Sequence, residues 1–431
     1  MQYGWALESF EQDTEGVTAR LVSANGDGRR TIRAQYLIGC DGAGSRTRRQ
    51  LGIDLHEIDL RRMLVKELGL PRTAAMLARA FRATGERPMD GRIYLVHFTT
   101  SDRKIFQRFG GHVWHLQSPE GWTLISQNDG DTFTLHAPLG AGTDADRVDP
   151  RAFVHERVGR RFEMDVLVAN AWTPRLTVAD SYGRRGRVWL AGDAVHQVPP
   201  TGGYGMNTGV GDAVGLGWAL AAVLRGWGTP GLLRAYEHER RAVALRNRGA
   251  AARHSAVRAA VKAAHRTTAH SERWSGTRAR RRLGREITDL GNLENEALGI
   301  ELGYRYDTSP VVCPDPDGRA PRQTMDEYTP STWPGARPPS LLLQDGRALF
   351  DLFHPGFTLL RFADHDVTAL IDAAAERTLP LEVVDVRDAH ARTLYERDLV
   401  LVRPDQHVAW RGDTPPADPL HVIDRIRGAH Q

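Results

Sequence analysis

Two acid-bearing turns in this chain have the residue types and spacing to hold a nucleotide-like ligand. The longer signal is Arg187 to Leu224, RVWLAGDAVHQVPPTGGYGMNTGVGDAVGLGWALAAVL. Arg187 to Ala191 reads as a short apolar strand, and Gly192-Asp193 as a turn that ends it on a carboxylate. Pro199 to Gly211 reads as a Pro- and Gly-rich loop, opening into an amphipathic helix that begins near Asp212. A carboxylate so placed can accept hydrogen bonds from sugar hydroxyls. The Gly-rich loop lets backbone N–H groups approach a planar, electron-rich ligand, and a helix N-terminus favours negative charge. The second signal is CDGAGSRTRRQL, from Cys40 to Leu51. Tyr36 to Cys40 reads as a buried strand, Asp41-Gly42 as a turn and Ser45 to Leu51 as a short helix. The same strand–acid–helix logic therefore occurs twice.

The elements around these turns divide the chain. Residues 2–35 read as a β-meander, with Asn25-Gly26 and Asp27-Gly28 as turns. Arg61 to Arg82 has helical spacing of Leu, Met and Ala. RIYLVHF, KIFQRFG, HVWHLQS, WTLISQN and FTLHAPL then read as short strands of an inserted antiparallel sheet, with Asn128-Asp129-Gly130 as a turn. Residues 212–303 are expected to be mostly helical. Residues 304–340, rich in Pro, Asp and Arg, read as a linker. The expected division is 1–60 and 179–303 for the two halves of a ligand-binding domain, 61–178 for the sheet, and 341–431 for a terminal module. That module runs strand (FTLLRF), helix (DVTALIDAAAERT), strand (LEVVDV), hairpin at Pro404-Asp405, helix, which is the order of a thioredoxin-type fold. A redox thioredoxin needs Cys-x-x-Cys. Ala363-Asp364-His365-Asp366 stands at that place, so the module is expected to serve packing or dimerisation.

Composition narrows the class. The chain has 431 residues, 41% hydrophobic and 26% charged, as in ordinary globular proteins. No stretch is apolar enough to span a bilayer, and the first twenty residues lack a signal-peptide pattern. The two cysteines, Cys40 and Cys313, are far apart and indicate neither a disulfide framework nor a zinc site. The expectation is a cytoplasmic protein. No histidine pair sits at ligand spacing beside a third ligand, so no metal is expected. The basic run from Arg234 to Arg285 lacks interleaved aromatics and is expected to be a solvated helix surface, not a nucleic-acid site.

GDAVHQVPPTGGYGMNTGVGDA resembles the second FAD-ribityl motif of the class A flavoprotein aromatic hydroxylases. CDGAGSRTRR is similar to their middle motif, through Asp41, Gly42, Ser45 and Arg48. ELGYRY, YTPSTWPGARPP and DLFHPGFTLLRF resemble the C-terminal region of the phenol hydroxylase subgroup, which includes hydroxyphenylpropionate hydroxylases and enzymes of aromatic polyketides. The resemblance covers essentially the whole chain. It implies an α/β fold: an FAD-binding, glutathione reductase-type Rossmann-like domain, an inserted antiparallel substrate sheet and a C-terminal thioredoxin-like domain. It implies FAD, NAD(P)H as cosubstrate, O₂, and a small phenolic or polyketide-type aromatic substrate. Oxygen would pass to the ring from a flavin C4a-hydroperoxide, by hydroxylation or a Baeyer–Villiger step. The resemblance gives Gly192 and Asp193 to the ribityl chain, Asp41 and Gly42 to the flavin's extended tail, and Arg48 to the pyrophosphate or pyridine nucleotide. Gly203, Gly205, Met206 and Asn207 would face the pyrimidine end, and Pro199 with Pro200 would wall the reactive face. His196 would be structural rather than a base. Val195 and Gly215 depart mildly from the family pattern.

A larger departure is that no GxGxxG unit precedes these motifs; the chain enters the family pattern roughly 100 residues late. Three origins are compatible with that: a start codon placed too far downstream, a fragment, or a second polypeptide that supplies the unit. The competing function is therefore a non-catalytic remnant acting as an association module. A flavin halogenase or reductase fits the tail less well. Substrate contacts are expected on the inserted sheet, from Arg92, Tyr94, His97, His112, Trp114, His115 and His136, because a phenol is activated by a nearby base. Alternation puts Arg92 with Tyr94 on one face, His97 with Thr99 on one face, and Trp114 opposite His115.

Overall fold

The computed structural model describes residues 1–58, 75, 91–109, 112–118, 120–140, 142–184, 186–264, 271–290, 296–316 and 318–429. The helix expected over Arg61–Arg82 lies outside them, apart from Ala75. In chain order the strands begin with β1 (Trp5–Gln12), β2 (Val17–Ser23), β3 (Arg29–Ala34), β4 (Leu37–Gly39) and β5 (Leu55–Glu57), with α1 (Arg46–Gln50) before β5. Next come β6 (Ile93–Thr99), β7 (His115–Gln117), β8 (Thr123–Ser126), β9 (Thr132–Pro138), α2 (Pro150–Val158) and β10 (Asp165–Trp172). β11 (Thr177–Ala179), β12 (Gly183–Arg184), β13 (Val188–Leu190) and β14 (His196–Gln197) lead to the helices α3 (Tyr204–Leu224), α4 (Gly231–Ala264), α5 (Trp274–Leu290) and α6 (Leu298–Glu301). The chain ends with β15 (Phe357–Arg361), α7 (Thr368–Glu376), β16 (Leu381–Asp385), α8 (Ala389–Tyr395), β17 (Leu399–Val402), β18 (Val408–Gly412) and α9 (Pro419–Ile426).

Two compact units emerge. One comprises residues 1–57, 177–250 and 294–431; the other comprises 58–176 and 251–293. In the first, β1, β2 and β3 form the antiparallel meander. The Asp13 carboxylate closes its first turn by accepting from the N–H of Glu15 at 2.8 Å and of Gly16 at 2.9 Å. β4 runs parallel to β13, with Leu37, Ile38 and Gly39 opposite Val188, Trp189 and Leu190. The buried strand expected at Tyr36–Cys40 is half-exposed instead: only Gly39 is buried, and Cys40 is exposed. The reason is position, since β4 is the edge of the sheet β12-β13-β4.

The terminal module has the sheet order β16-β15-β17-β18, parallel between β15 and β16 and antiparallel elsewhere. This is the thioredoxin-like arrangement, with α8 added between β16 and β17 where no element was expected. Its core is continuous with the rest of its unit: Phe357, Leu359 and Leu401 pack in one cluster with Leu190, Leu216, Leu232 and Tyr236. An ion cluster reinforces that seam. Arg403, with no exposed side-chain surface, donates to Glu239 Oε1 at 2.6 Å and Oε2 at 2.8 Å, and to Asp405 Oδ1 at 3.0 Å. Ser309 and Trp218 add bonds to Glu239 and Asp405. Burial works against the Arg403 charge, but the two carboxylates more than offset it and hold its titration well above the ordinary value.

In the other unit the sheet order is β10-β6-β9-β8-β7, antiparallel throughout. β6 shows why: Tyr94, Val96 and Phe98 are buried while Ile93, Leu95 and His97 are half-buried. The buried face joins an aromatic core of Phe98, Phe106, Phe133 and Phe162. KIFQRFG is not a strand; Arg103–Ile105 and Gln107–Phe109 are single 3₁₀ turns. Phe106 and Phe109 both turn towards Trp114, a spacing of three that suits a turn and defeats strand alternation. The edge strand β10 has no counterpart in the sequence reading, because a register shift between Val166 and Val168 breaks its alternation. α2 was also unforeseen, although Asp149 caps it, Pro150 begins it and Gly159 closes it with φ +74°.

Removing one member of the Arg403 cluster leaves buried charge uncompensated. Arg403→Met is expected to lower unfolding free energy by about 3–5 kcal/mol, measured as a fall in the urea midpoint. A change below about 1 kcal/mol would mean the seam does not depend on this pair.

Candidate functional site

The Gly192-Asp193 turn and the Asp41-Gly42 turn lie together because β4 and β13 are parallel neighbours. Each turn leaves the C-terminal end of its strand, the side on which open α/β sheets bind ligands. Ala191 N–H donates to Gly39 O at 3.2 Å, and Gln197 Nε2 donates to Ala43 O at 3.0 Å, so the two turns are tied directly. Gly192, Gly202 and Gly203 have φ of +65°, +79° and +71°. At Gly203 and Gly42 an added Cβ would meet nothing within 4 Å. The glycines there serve backbone conformation and leave open space beside the chain, as a ligand cradle requires.

The helix after the turn begins at Tyr204, not near Asp212. The glycines between them are helical. An added Cβ at Gly209 would stand 3.5 Å from Gly192 Cα, and one at Gly211 would stand 2.6 Å from the Arg240 guanidinium. They are small because the turn and Arg240 press against the helix, a reason that composition does not distinguish from a flexible loop. The first turn of α3 therefore holds Gly205, Met206 and Asn207. No side chain caps it and no acid stands in it. The first-turn N–H groups of Gly205 and Met206 have no carbonyl four residues back within the helix. This positive end suits an electron-rich or anionic group.

The buried centre of the site is Asp212, which the sequence reading passed over. It has no exposed surface and sits among Thr208, Leu216 and Ala219 on the inner face of α3. Its Oδ2 accepts from the Gly192 N–H at 3.0 Å and meets His196 Nε2 at 2.8 Å; its Oδ1 accepts from Arg240 Nε at 2.9 Å. Burial would raise its carboxyl, but the His196 hydrogen bond and the Arg240 charge hold it below the ordinary value of 3.8. Arg240 also donates to Thr208 O and to the Tyr306 hydroxyl. His196 is thus structural, fixing the turn through Asp212. The signal available in the sequence was an acid within an apolar helical stripe, since unpaired acids are almost never fully buried. Arg240 corrects the expectation of a solvated basic run. Arg241 and Arg246 depart from it too, donating to Ala179 O and to Gly299 O and Thr324 O.

The remaining expected residues separate clearly. The Asp193 carboxylate is exposed and makes no hydrogen bond or ion pair among the described residues, so it is available to a ligand. The Asp41 carboxylate is engaged in shaping α1: it accepts from Ser45 Oγ at 2.5 Å, Thr47 N at 2.9 Å and Thr47 Oγ1 at 3.0 Å. These bonds hold it ionised against burial. Arg48 is buried and donates to Ile53 O at 3.2 Å. Pro199 is buried and Pro200 exposed at the mouth of the 3₁₀ turn Thr201–Gly203. Among the described residues no group of His, Cys, Asp and Glu could hold a metal.

In the sheet unit, Tyr94 belongs to the core, edge-on to Phe153 at 4.9 Å. Trp114 packs with Phe106 and Phe109. Arg92, His112 and His115 are exposed. His97 and His136 lie on the face away from the aromatic core, His97 with its Nδ1 2.8 Å from Thr134 Oγ1.

Residues 1–251 match the model of an FAD binding domain, and residues 331–429 match that of the aromatic-ring hydroxylase C-terminal domain. The FAD-dependent monooxygenase apdD of Emericella nidulans is 32% identical over 438 residues, covering 95% of this chain and 65% of that protein. The chain thus spans about two-thirds of that relative's length. The tetracenomycin B2 monooxygenase-dioxygenase of Streptomyces olivaceus is 32% identical over 439 residues, covering 97% of this chain and 70% of that protein. Among solved structures, the rebeccamycin biosynthetic enzyme RebC with reduced flavin superposes with a TM-score of 0.82 at 33% identity, covering 99% of this chain and 74% of that one. A ternary complex of aklavinone-11 hydroxylase with FAD and aklavinone gives 0.73 at 27% identity, with coverage of 99% and 74%. Among the described residues no helix is long and apolar enough to cross a membrane.

Asp212→Asn leaves Arg240 buried beside a neutral amide and is expected to cost about 3–5 kcal/mol of unfolding free energy. The sign with pH follows. A carboxyl held below 3.8 in the folded state stabilises the fold above that pH, and its contribution is lost as pH falls through the folded value. Urea unfolding across acid pH should show a shallower loss in Asp212→Asn than in the parent chain; parallel profiles would refute the assignment.

Proposed function

Because the chain belongs to the FAD-dependent aromatic-ring hydroxylases, we propose that it inserts one oxygen atom of O₂ into a phenolic or polyketide-type aromatic ring at the expense of NAD(P)H. The balance is ring C–H, O₂, NAD(P)H and a proton giving ring C–OH, water and NAD(P)⁺. FAD, when bound, supplies hydride acceptance and oxygen activation. The observation that carries the reading is the paired turn at the ends of β4 and β13. It offers the unpaired Asp193 carboxylate, open-sided glycines and an uncapped helix N-terminus on one ledge.

The chain's own residues then have distinct tasks. Asp193 accepts hydrogen bonds from the ribityl hydroxyls. The Gly205 and Met206 N–H groups donate towards the pyrimidine edge, where negative charge grows on reduction. Asp212 and His196 keep the turn in register with that helix end. Asp41 holds α1 in place through Ser45 and Thr47, and Gly42 leaves room for the extended tail of the cofactor. The fused-ring class of substrate is supported by relatives named as a polyketide hydroxylase, a tetracenomycin B2 monooxygenase-dioxygenase and an aklavinone 12-hydroxylase.

Titration of the purified chain with FAD, followed by flavin fluorescence, tests the reading. Saturable binding together with NAD(P)H oxidation stimulated by polycyclic phenols is expected; a chain that takes up no flavin overturns it. Asp193→Ala should weaken FAD binding by about ten- to a hundredfold, the worth of a hydrogen bond to a charged group. Its urea midpoint should correspond to a change of no more than about 0.5 kcal/mol, because Asp193 has no partner to lose.

A further inference from the structure

On the sheet β10-β6-β9-β8-β7, the face away from the aromatic core has one histidine whose Nδ1 is paired and another whose Nδ1 is not. His97 Nδ1 lies 2.8 Å from Thr134 Oγ1, which also accepts from Gln127 Nε2 at 3.0 Å. His136, two residues along β9 on the same face, stands opposite Leu95 of β6 and Thr123 of β8. Its Nδ1 is buried and has no hydrogen-bond partner among the described residues. Trp172 of β10 stands edge-on to the imidazole, with ring centroids 6.4 Å apart at 85°. A buried polar atom left unpaired is destabilising, so most such atoms in proteins meet a partner, a water or a ligand.

We propose that His136 Nδ1 is the atom that accepts a hydrogen bond from the substrate's phenolic hydroxyl, so that the sheet unit selects a free phenol; this rests on the hydroxylase reading above. The surroundings of His136 keep it neutral at rest. Burial, the Arg258 charge on α4 and His115 on β7 all press its titration below the ordinary 6.5. A neutral imidazole can accept a hydrogen bond; an imidazolium cannot. The other expected residues are less suited. Tyr94 is fixed in the aromatic core, His97 is paired with Thr134, and Arg92, His112 and His115 are exposed.

The test uses naphthol and its methyl ether as probes, with affinities measured by calorimetry on the full chain. The parent should prefer naphthol by about tenfold, the worth of one hydrogen bond. The preference should persist down to pH 6.5 and disappear in more acid solution, where the ring takes a proton. His136→Leu should bind both probes equally, while His136→Gln, whose amide retains an acceptor, should recover part of the preference. Unchanged urea midpoints in both variants would place the effect in binding and not in folding. Equal discrimination by the parent and His136→Leu overturns the proposal, as does a failure of the parent to bind either probe. FAD uptake with equal discrimination would sink the His136 assignment alone. Discrimination without FAD uptake would sink the hydroxylase reading and leave the phenol contact standing.

Discussion

One buried carboxylate fixes the geometry of the ledge formed by the two acid-bearing turns. Asp212 accepts at the same time from the backbone of one turn, from the histidine that follows that turn, and from an arginine on the next helix. Without it, the Gly192 N–H, His196 and Arg240 would each lose an acceptor in a place water does not reach. The arrangement also explains why the site needs glycine on both sides of the contact. Gly192 and Gly209 approach so closely that an added Cβ on Gly209 would stand 3.5 Å from the Gly192 Cα. The carboxylate supplies attraction, the glycines remove the obstruction, and the uncapped end of α3 is thereby held beside Asp193.

From Asp212 the polar network runs outward through Arg240 to Tyr306, whose ring stacks on His407 at 4.4 Å and lies 5.2 Å from the Arg403 guanidinium. Glu239, next to Arg240 in sequence, binds Arg403 from the terminal module. One turn of α4 thus faces the ledge through one residue and the module through its neighbour. Desolvating so many charges offsets most of their Coulombic gain, so the cluster adds little net stability. What it does supply is selectivity of docking, because a slipped register would leave Arg403 or Glu239 buried without its partner. A module with no Cys-x-x-Cys thus has a structural task within its own unit.

Much of this was legible in the sequence, and the failures share a cause. The meander, the two acid turns, four of the five sheet strands and the β–α order of the terminal module followed from alternation, turn residues and motif spacing. The start of α3 did not, because glycines that permit close packing look the same as glycines that loosen a loop. KIFQRFG failed because phenylalanines three apart satisfy a turn as well as a strand. β10 was hidden by its bulge. Asp212 and Arg240 were missed because their roles depend on each other across 28 residues, and neither is unusual until the other is placed opposite it. Of the seven residues expected to touch substrate, periodicity grouped them by face, but only tertiary packing shows which face is the aromatic core.

That last distinction applies to both units. The charged residues that hold the ledge and the seam each make several bonds: Asp41 accepts three, Asp212 three, and Arg403 reaches two carboxylates. Their burial is compensated inside the protein, and each fixes one local conformation. Asp193 and the Nδ1 of His136 differ, since neither has a hydrogen-bond partner among the described residues. Asp193 does so cheaply because it is exposed to water, whereas His136 Nδ1 is cut off from it. A group that already has its bonds positions the chain. A group without them has its hydrogen-bonding capacity free for something the chain does not contain. On the reading proposed above, Asp193 turns that capacity to cofactor hydroxyls, and His136 Nδ1 to a hydroxyl that arrives with the substrate.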